Sequence, residues 1–235
     1  MTGSITDIAK QCLNKGLSSL SAEDEHELYI FFRKEVRKNA FKIQETNTIN
    51  ILKAFCQYII ADSEVLRVMD FQLYLRKCAK DLSAARPPIA SLVLYATCVE
   101  HWLNMMLTVA KLRQGNSPST VGAYFDTGPK IKERLKLLGP ISGLSEFPDS
   151  LKIFTYELVG RRNDYVHYSW QGLKPEKVED LHTKIHALVQ KAEVRLDEMR
   201  LYEWDNFDKQ YDTQAMSIFP RARHNEYWVR NFTFA

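Results

Sequence analysis

Residues Ile89 to Ala110 read IASLVLYATCVEHWLNMMLTVA, and within them Leu92, Tyr95, Ala96, Val99, Trp102, Leu103, Met106, Leu107 and Ala110 recur at steps of three and four. That is the period of an α-helix with one buried stripe, sustained for about five turns. A strand would alternate every second residue instead. The stretch predicts a central core helix, and the expected fold is an all-α helical bundle built around it.

Composition points the same way. Nine glycines and eight prolines in 235 residues fall below the roughly 12% usual for globular chains, which favours long helices over a many-stranded sandwich. With 45% apolar and 26% charged residues, the chain can bury a core and is neither disordered nor fibrous. A formal charge of +3 is too mild to announce nucleic-acid binding, so any polyanion site must be local. Cys12, Cys56, Cys78 and Cys98 lie far apart in apolar helical stretches with no C-x-x-C pair, the pattern of small core hydrophobes in a reducing cytosol. Met1 to Lys15 carries no signal-peptide pattern, and no uninterrupted apolar run of 18 residues occurs. A cytoplasmic location without a membrane partner is expected.

Upstream, Ser21 and Asp24 form a capping box for a helix from about Ala22 to about Gln44, carrying Leu28, Phe31, Phe32 and Val36 inward. Thr48 is the expected cap of a second helix with Ile49, Leu52, Phe55, Cys56, Ile59 and Ile60 on one face, and Ser63 of a third with Leu66, Met69 and Leu73. Pro87 and Pro88 end that run, because a residue before proline is pushed out of the α region. Downstream, Gly115 to Gly128 reads as a loop, Lys130 to Leu138 as a short basic helix, and Pro148 onward as a helix with Leu151, Phe154 and Leu158 inward. Pro175 to about Leu201 is a last amphipathic helix, after which an aromatic, basic segment suggests an extended arm. The expected organisation is an N-terminal helical extension over residues 1–85, a helical bundle over 86–201 and a non-helical aromatic tail over 202–235.

The helix after Pro148 runs into Gly160-Arg161-Arg162-Asn163-Asp164-Tyr165-Val166-His167-Tyr168. Asn163 and His167 are four apart and share a helix face. Arg162 and His167 are five apart and diverge by about 140° on a straight helix, so they converge only if the helix bends, for which Gly160 offers a place, or if a second copy is brought in. An imidazole moves protons near neutral pH and a fixed guanidinium stabilises a charged phosphorane, which suits metal-free RNA cleavage by the ribose 2′-OH. Base and acid roles together ask for two imidazoles, and a two-fold dimer supplies the second. The competing reading is structural: a helix-end Arg–Asp pair beside a partly buried histidine.

Arg162-Asn163 through His167, at the end of a bundle whose long preceding helix reads Leu92 through Leu107, resembles the R-[polar]-x-x-x-H motif of the HEPN domains (higher eukaryotes and prokaryotes nucleotide-binding). The resemblance covers about Ala85 to Leu201. It implies a bundle that dimerises along the motif helix and a metal-independent endoribonuclease, often a toxin or an anti-phage effector. Arg162 and His167 carry over as catalytic residues and Asn163 as the orienting polar residue. Members partnered with nucleotidyltransferases have a tyrosine two residues after the histidine, where this chain has Ser169, with Tyr168 one step earlier. HEPN modules without the motif serve as non-catalytic binders of nucleotide, RNA or a partner protein, and such a module is the rival reading here.

Glu100, at the edge of the core stripe, is a candidate to pair with Arg162 or to orient His167, with a solvated flank glutamate as the alternative. Asp164, Tyr168 and Arg161 are candidate supporting residues. Lys130, Lys132, Arg134 and Lys136 form a basic run suited to RNA phosphates, or simply an exposed helix face. His182 and His186 are four apart but lack a third ligand at a recognised spacing, so neither metal nor cofactor is expected. In the tail, Arg221, Arg223 and Arg230 interleave with Tyr227, Trp228, Phe232 and Phe234. Such a mixture can bind single-stranded RNA, but so many large rings favour packing against the protein. The expected partners are RNA, a second copy of the chain and, for a toxin or defence effector, an antitoxin or defence-system protein.

Overall fold

A computed structural model describes residues 4–38, 40–44, 46–61, 72–84, 88–128, 130–167 and 172–222. The described residues hold ten α-helices and no strand, so the all-α class is borne out. The start of the third expected helix (Ser63, Leu66, Met69), Tyr168, Ser169 and the tail from Arg223 onward lie outside the described residues. The chain divides into two compact units, residues 1–68 with 204–235, and residues 69–203.

The first unit contains α1 (Ile5–Lys15), α2 (Ala22–Arg37), α3 (Thr48–Ala61), a π-helical turn (Trp204–Asp208) and α10 (Asp212–Ile218). Ser21 caps α2 as its sequence predicts, accepting from the Asp24 amide at 3.1 Å. The helix stops at Arg37 rather than near Gln44, because the amides of Ala40 and Phe41 turn back onto the Glu35 carbonyl at 3.0 and 3.2 Å. That turn drives Phe41 into a cluster where its ring meets Phe55 at 5.1 Å and Phe32 meets Phe55 edge-on at 5.1 Å. Asn47, not Thr48, caps α3 by accepting from the amides of Ile49 and Asn50, and Ile49 is left exposed. Phe219 closes the cluster from the chain's far end, 5.5 Å from Phe32. Arg221 is tied down too, its amide and Nε donating to the buried Glu25 carboxylate at 2.7 and 2.6 Å. Trp204–Asp208 and Asp212–Ile218 are helical, where the sequence suggested a non-helical segment.

The second unit contains α4 (Gln72–Asp81), α5 (Ile89–Arg113), α6 (Pro118–Asp126), α7 (Ile131–Leu137), α8 (Asp149–Val166) and α9 (Pro175–Glu203). Every stripe residue of α5 from Leu92 to Ala110 is buried, and α4, α8 and α9 pack around it. The boundary falls before α4 rather than at Arg86 because α4 lies along α5, where the Ser91 hydroxyl donates to the Ala79 carbonyl at 2.6 Å. Polar ties anchor α9: Arg76 pairs with Glu193 at 2.8 Å and Asp197 at 2.9 Å, and Tyr95 donates to Glu193 at 2.9 Å. By length and composition α5 could cross a membrane, yet over half of its most apolar window is buried inside the protein, the pattern of a core helix. The expected loop at 115–128 holds α6, because Ser117 caps it by accepting from the Thr120 amide at 3.2 Å and Pro118 occupies the first turn.

Candidate functional site

α8 carries the motif. Leu151, Phe154, Thr155, Leu158 and Val159 face inward, and on the same helical arithmetic so does Arg162. Its Nη2 donates to Glu100 Oε2 on α5 at 2.8 Å, in a pair whose side chains are 20% and 24% exposed. Arg162 Nε is buried with no hydrogen-bond partner among the described residues. One edge of the guanidinium is thus fixed, and another is uncommitted.

His167 ends the helix. Its amide donates to the Asn163 carbonyl at 2.9 Å, while its side chain and that of Asn163 stand exposed. Among the described residues, no side-chain hydrogen bond joins Asn163 to His167, and none joins His167 to Arg162. The helix runs unbroken through Gly160, so the divergence expected of a straight helix persists. Asp164 pairs with Arg161 at 3.0 Å, an i,i+3 contact on α8 itself.

The exposed side of α8 presents Ile153, Tyr156, Gly160, Asn163 and His167, at steps of three and four that form a single stripe. Ile153 and Tyr156 are more than half exposed, at 59% and 54%. A methyl group added at Gly160 would meet nothing within 4 Å. Beside the stripe, Arg161 and Asp164 border a cleft of about 370 Å³ whose other wall includes Lys177, Asp180 and Lys184 of α9. The sequence reading did not single out these α9 residues, since a charged helix face gives no sign of what lies opposite.

Of the basic run, Lys130, Lys132 and Lys136 are exposed, whereas Arg134 donates to Asn104 Oδ1 on α5 at 2.9 Å. Glu100 and Asn104 are four apart, so α5 holds Arg162 and Arg134 on successive turns of one face. Asn104 escaped the sequence reading; an amide interrupting an apolar helix was its only signal. Burial pushes the phenol of Tyr124 up despite the nearby Arg134, which pulls the other way, and Lys111 sits 4.1 Å from the centre of that ring. His182 and His186 are half-buried on α9, and no group of three metal-ligating side chains occurs among the described residues. No family model, no curated protein and no solved structure matches the chain.

Proposed function

We propose that this protein is a metal-independent endoribonuclease of the HEPN type that works as a two-fold dimer, with His167 and Arg162 catalytic and Asn163 supporting. The observation that carries the reading is the unpartnered stripe on α8, where two large apolar side chains and a glycine lead to an exposed Asn163 and His167. A second copy seated on that stripe covers Ile153 and Tyr156 and brings a second imidazole to the first. One histidine then takes the 2′-OH proton as the oxygen attacks phosphorus, and the other protonates the departing 5′-oxygen, leaving a 2′,3′-cyclic phosphate. Arg162, steadied by Glu100, offers its remaining N–H groups to the phosphorane oxygens. Lys130, Lys132 and Lys136 supply exposed charge for the RNA backbone. Such an enzyme in the cytoplasm fits a toxin or anti-phage effector controlled by a partner protein.

The ion pair with Glu100 favours a second reading, a non-catalytic HEPN module that binds nucleotide, RNA or a partner protein, because it already satisfies part of Arg162 within one chain. Incubating the purified protein with total RNA in EDTA separates the two. The nuclease reading requires cyclic-phosphate ends from the wild type and none from His167→Ala, and wild-type dimers re-paired with an equal amount of that variant should lose about half their rate, where independent single-chain sites would lose none. Intact RNA after prolonged incubation, or undiminished cleavage by His167→Ala, would overturn it.

A further inference from the structure

The proposed nuclease chemistry leaves the cleft beside the α8 stripe without a role. Its volume of about 370 Å³ lies within the roughly 300–1,000 Å³ of small-ligand sites, and both of its walls belong to the second unit. Along α9, Lys177, Leu181 and Lys184 follow at steps of four and three, so they share one face. The two lysines stand seven residues apart, about 10 Å along the helix axis, with the leucine between them. Leu173 adds a second, partly exposed apolar surface, and Arg161 lines the facing wall. Two of the three cations are steadied by carboxylates on their own helices, Arg161 by Asp164 at 3.0 Å and Lys184 by Asp180 at 2.5 Å. Lys177 has no side-chain partner among the described residues. Three cations against two carboxylates leave the cleft one net positive charge. Both ion pairs are more than a third exposed, and pairs of that kind contribute so little that their cations can be shared with a phosphate.

We infer that this cleft is an RNA subsite that holds one nucleotide together with the phosphates on its two sides. The order cation, apolar surface, cation along α9 matches the order phosphate, nucleoside, phosphate along a strand. Lys177 and Lys184 meet the two phosphates, Leu173 and Leu181 meet the base, and Arg161 supplies a further fork of donors from α8. The subsite's place on the strand rests on the nuclease reading. Arg161 precedes His167 by six residues, about 9 Å along α8, so the bound nucleotide lies about one or two positions from the bond to be cleaved.

The test uses the full chain and adenosine 3′,5′-bisphosphate, which carries both phosphates around one nucleoside and has no internucleotide bond to cleave. Isothermal titration calorimetry should show it binding about tenfold tighter than adenosine 5′-monophosphate, the effect of one more charged hydrogen bond. Lys177→Ala or Lys184→Ala should bring the bisphosphate down to about the affinity of the monophosphate. In the wild-type chain the bisphosphate should protect Lys177 and Lys184 from acetylation, read by mass spectrometry, and leave Lys130, Lys132 and Lys136 reactive. A 2′-O-methyl RNA oligomer, which lacks the attacking hydroxyl, should protect the same two lysines, marking the occupant as a strand rather than a free nucleotide. Equal affinity for the two adenosine phosphates, protection confined to Lys130, Lys132 and Lys136, or an oligomer that leaves Lys177 and Lys184 reactive would overturn the inference. The protection map needs no variant and no cleavage. Intact RNA beside this binding pattern would sink the nuclease reading while the subsite stands.

Discussion

Replacing Asp208 by asparagine removes a buried carboxylate held between two guanidiniums. Arg33 lies 2.7 Å from the Asp208 carboxylate and Arg37 clasps it with two donors, the three side chains being 9%, 12% and 4% exposed. Arg33 also donates to the Tyr29 hydroxyl at 3.2 Å, which cannot replace a counter-charge. Breaking a buried pair by deleting one partner costs about 3–5 kcal/mol, because the remaining charges stay desolvated. At an m-value of about 3 kcal/mol/M, the urea midpoint of the first unit should fall by about 1–2 M at pH 7. The loss should also depend on pH. Burial alone would raise the Asp208 carboxyl, but Arg37 and Arg33 overcome it and hold the group below the ordinary carboxylate range. A depressed native pKa stabilises fully above the unfolded value of about 3.9 and progressively less as pH falls through the native one. The gap between wild type and Asp208→Asn should therefore narrow below about pH 4. Urea titrations followed by circular dichroism, with hydrogen exchange on α2 to isolate this unit, measure both effects. A gap under about 0.5 kcal/mol at pH 7 would refute the reasoning, since that lies within the range of ordinary surface substitutions. So would a gap unchanged at pH 3.

Three further outcomes are expected. On the proposed nuclease reading, Arg162→Lys should lower RNA cleavage by about 10²-fold or more although the charge is kept, since an ammonium lacks the planar fork that would hold a phosphate and Glu100 together; near-wild-type rates would reduce Arg162 to a point charge. Gly160→Ala should favour the α8 helix in an isolated chain by about 1 kcal/mol, yet weaken self-association measured by light scattering or ultracentrifugation if another copy approaches there closely. Equal or tighter association would place the contact elsewhere. Thr155→Val removes a buried hydroxyl that has no partner among the described residues, so it should leave the Tm unchanged or raise it by about 2–4 °C; a clear drop would mean that the hydroxyl is engaged.

How legible each part was depended on whether its cause is local. The α5 stripe was readable because all its buried residues are brought to one side by helical period alone. Glu100 was readable for the same reason, as the charged residue at that stripe's edge. α6 was misread because Ser117-Pro118-Ser119-Thr120 has the composition of a loop and equally the cap and first turn of a helix. The end of α2 depends on Phe41 finding Phe32 and Phe55, a tertiary preference absent from the sequence between Arg37 and Gln44. Likewise nothing near Phe219 says that its ring belongs with Phe32, from a helix that precedes it by almost the whole chain. In the candidate site, Arg162 and His167 were visible as residue types, whereas the Arg134–Asn104 contact needed α7 and α5 to be placed side by side.

The separation of Arg162 and His167 constrains any dimer that could use both. Gly160 and His167 are seven residues apart, about 10 Å along α8 at 1.5 Å per residue. An antiparallel pairing centred on Gly160 would therefore hold the two His167 side chains about 20 Å apart, too far for one phosphodiester to meet both. A parallel pairing along the stripe, or a crossing near the end of α8, brings them together. Either arrangement leaves Arg162 on the flank that faces α5, reaching the same phosphate from the side while Glu100 holds its inner edge. Productive geometry thus requires the two-fold axis to pass closer to Asn163 and His167 than to Ile153. The bulk of Ile153 and Tyr156 at the far end of the stripe and the small Gly160 nearer its close favour a crossing in which the helices approach most tightly toward the motif.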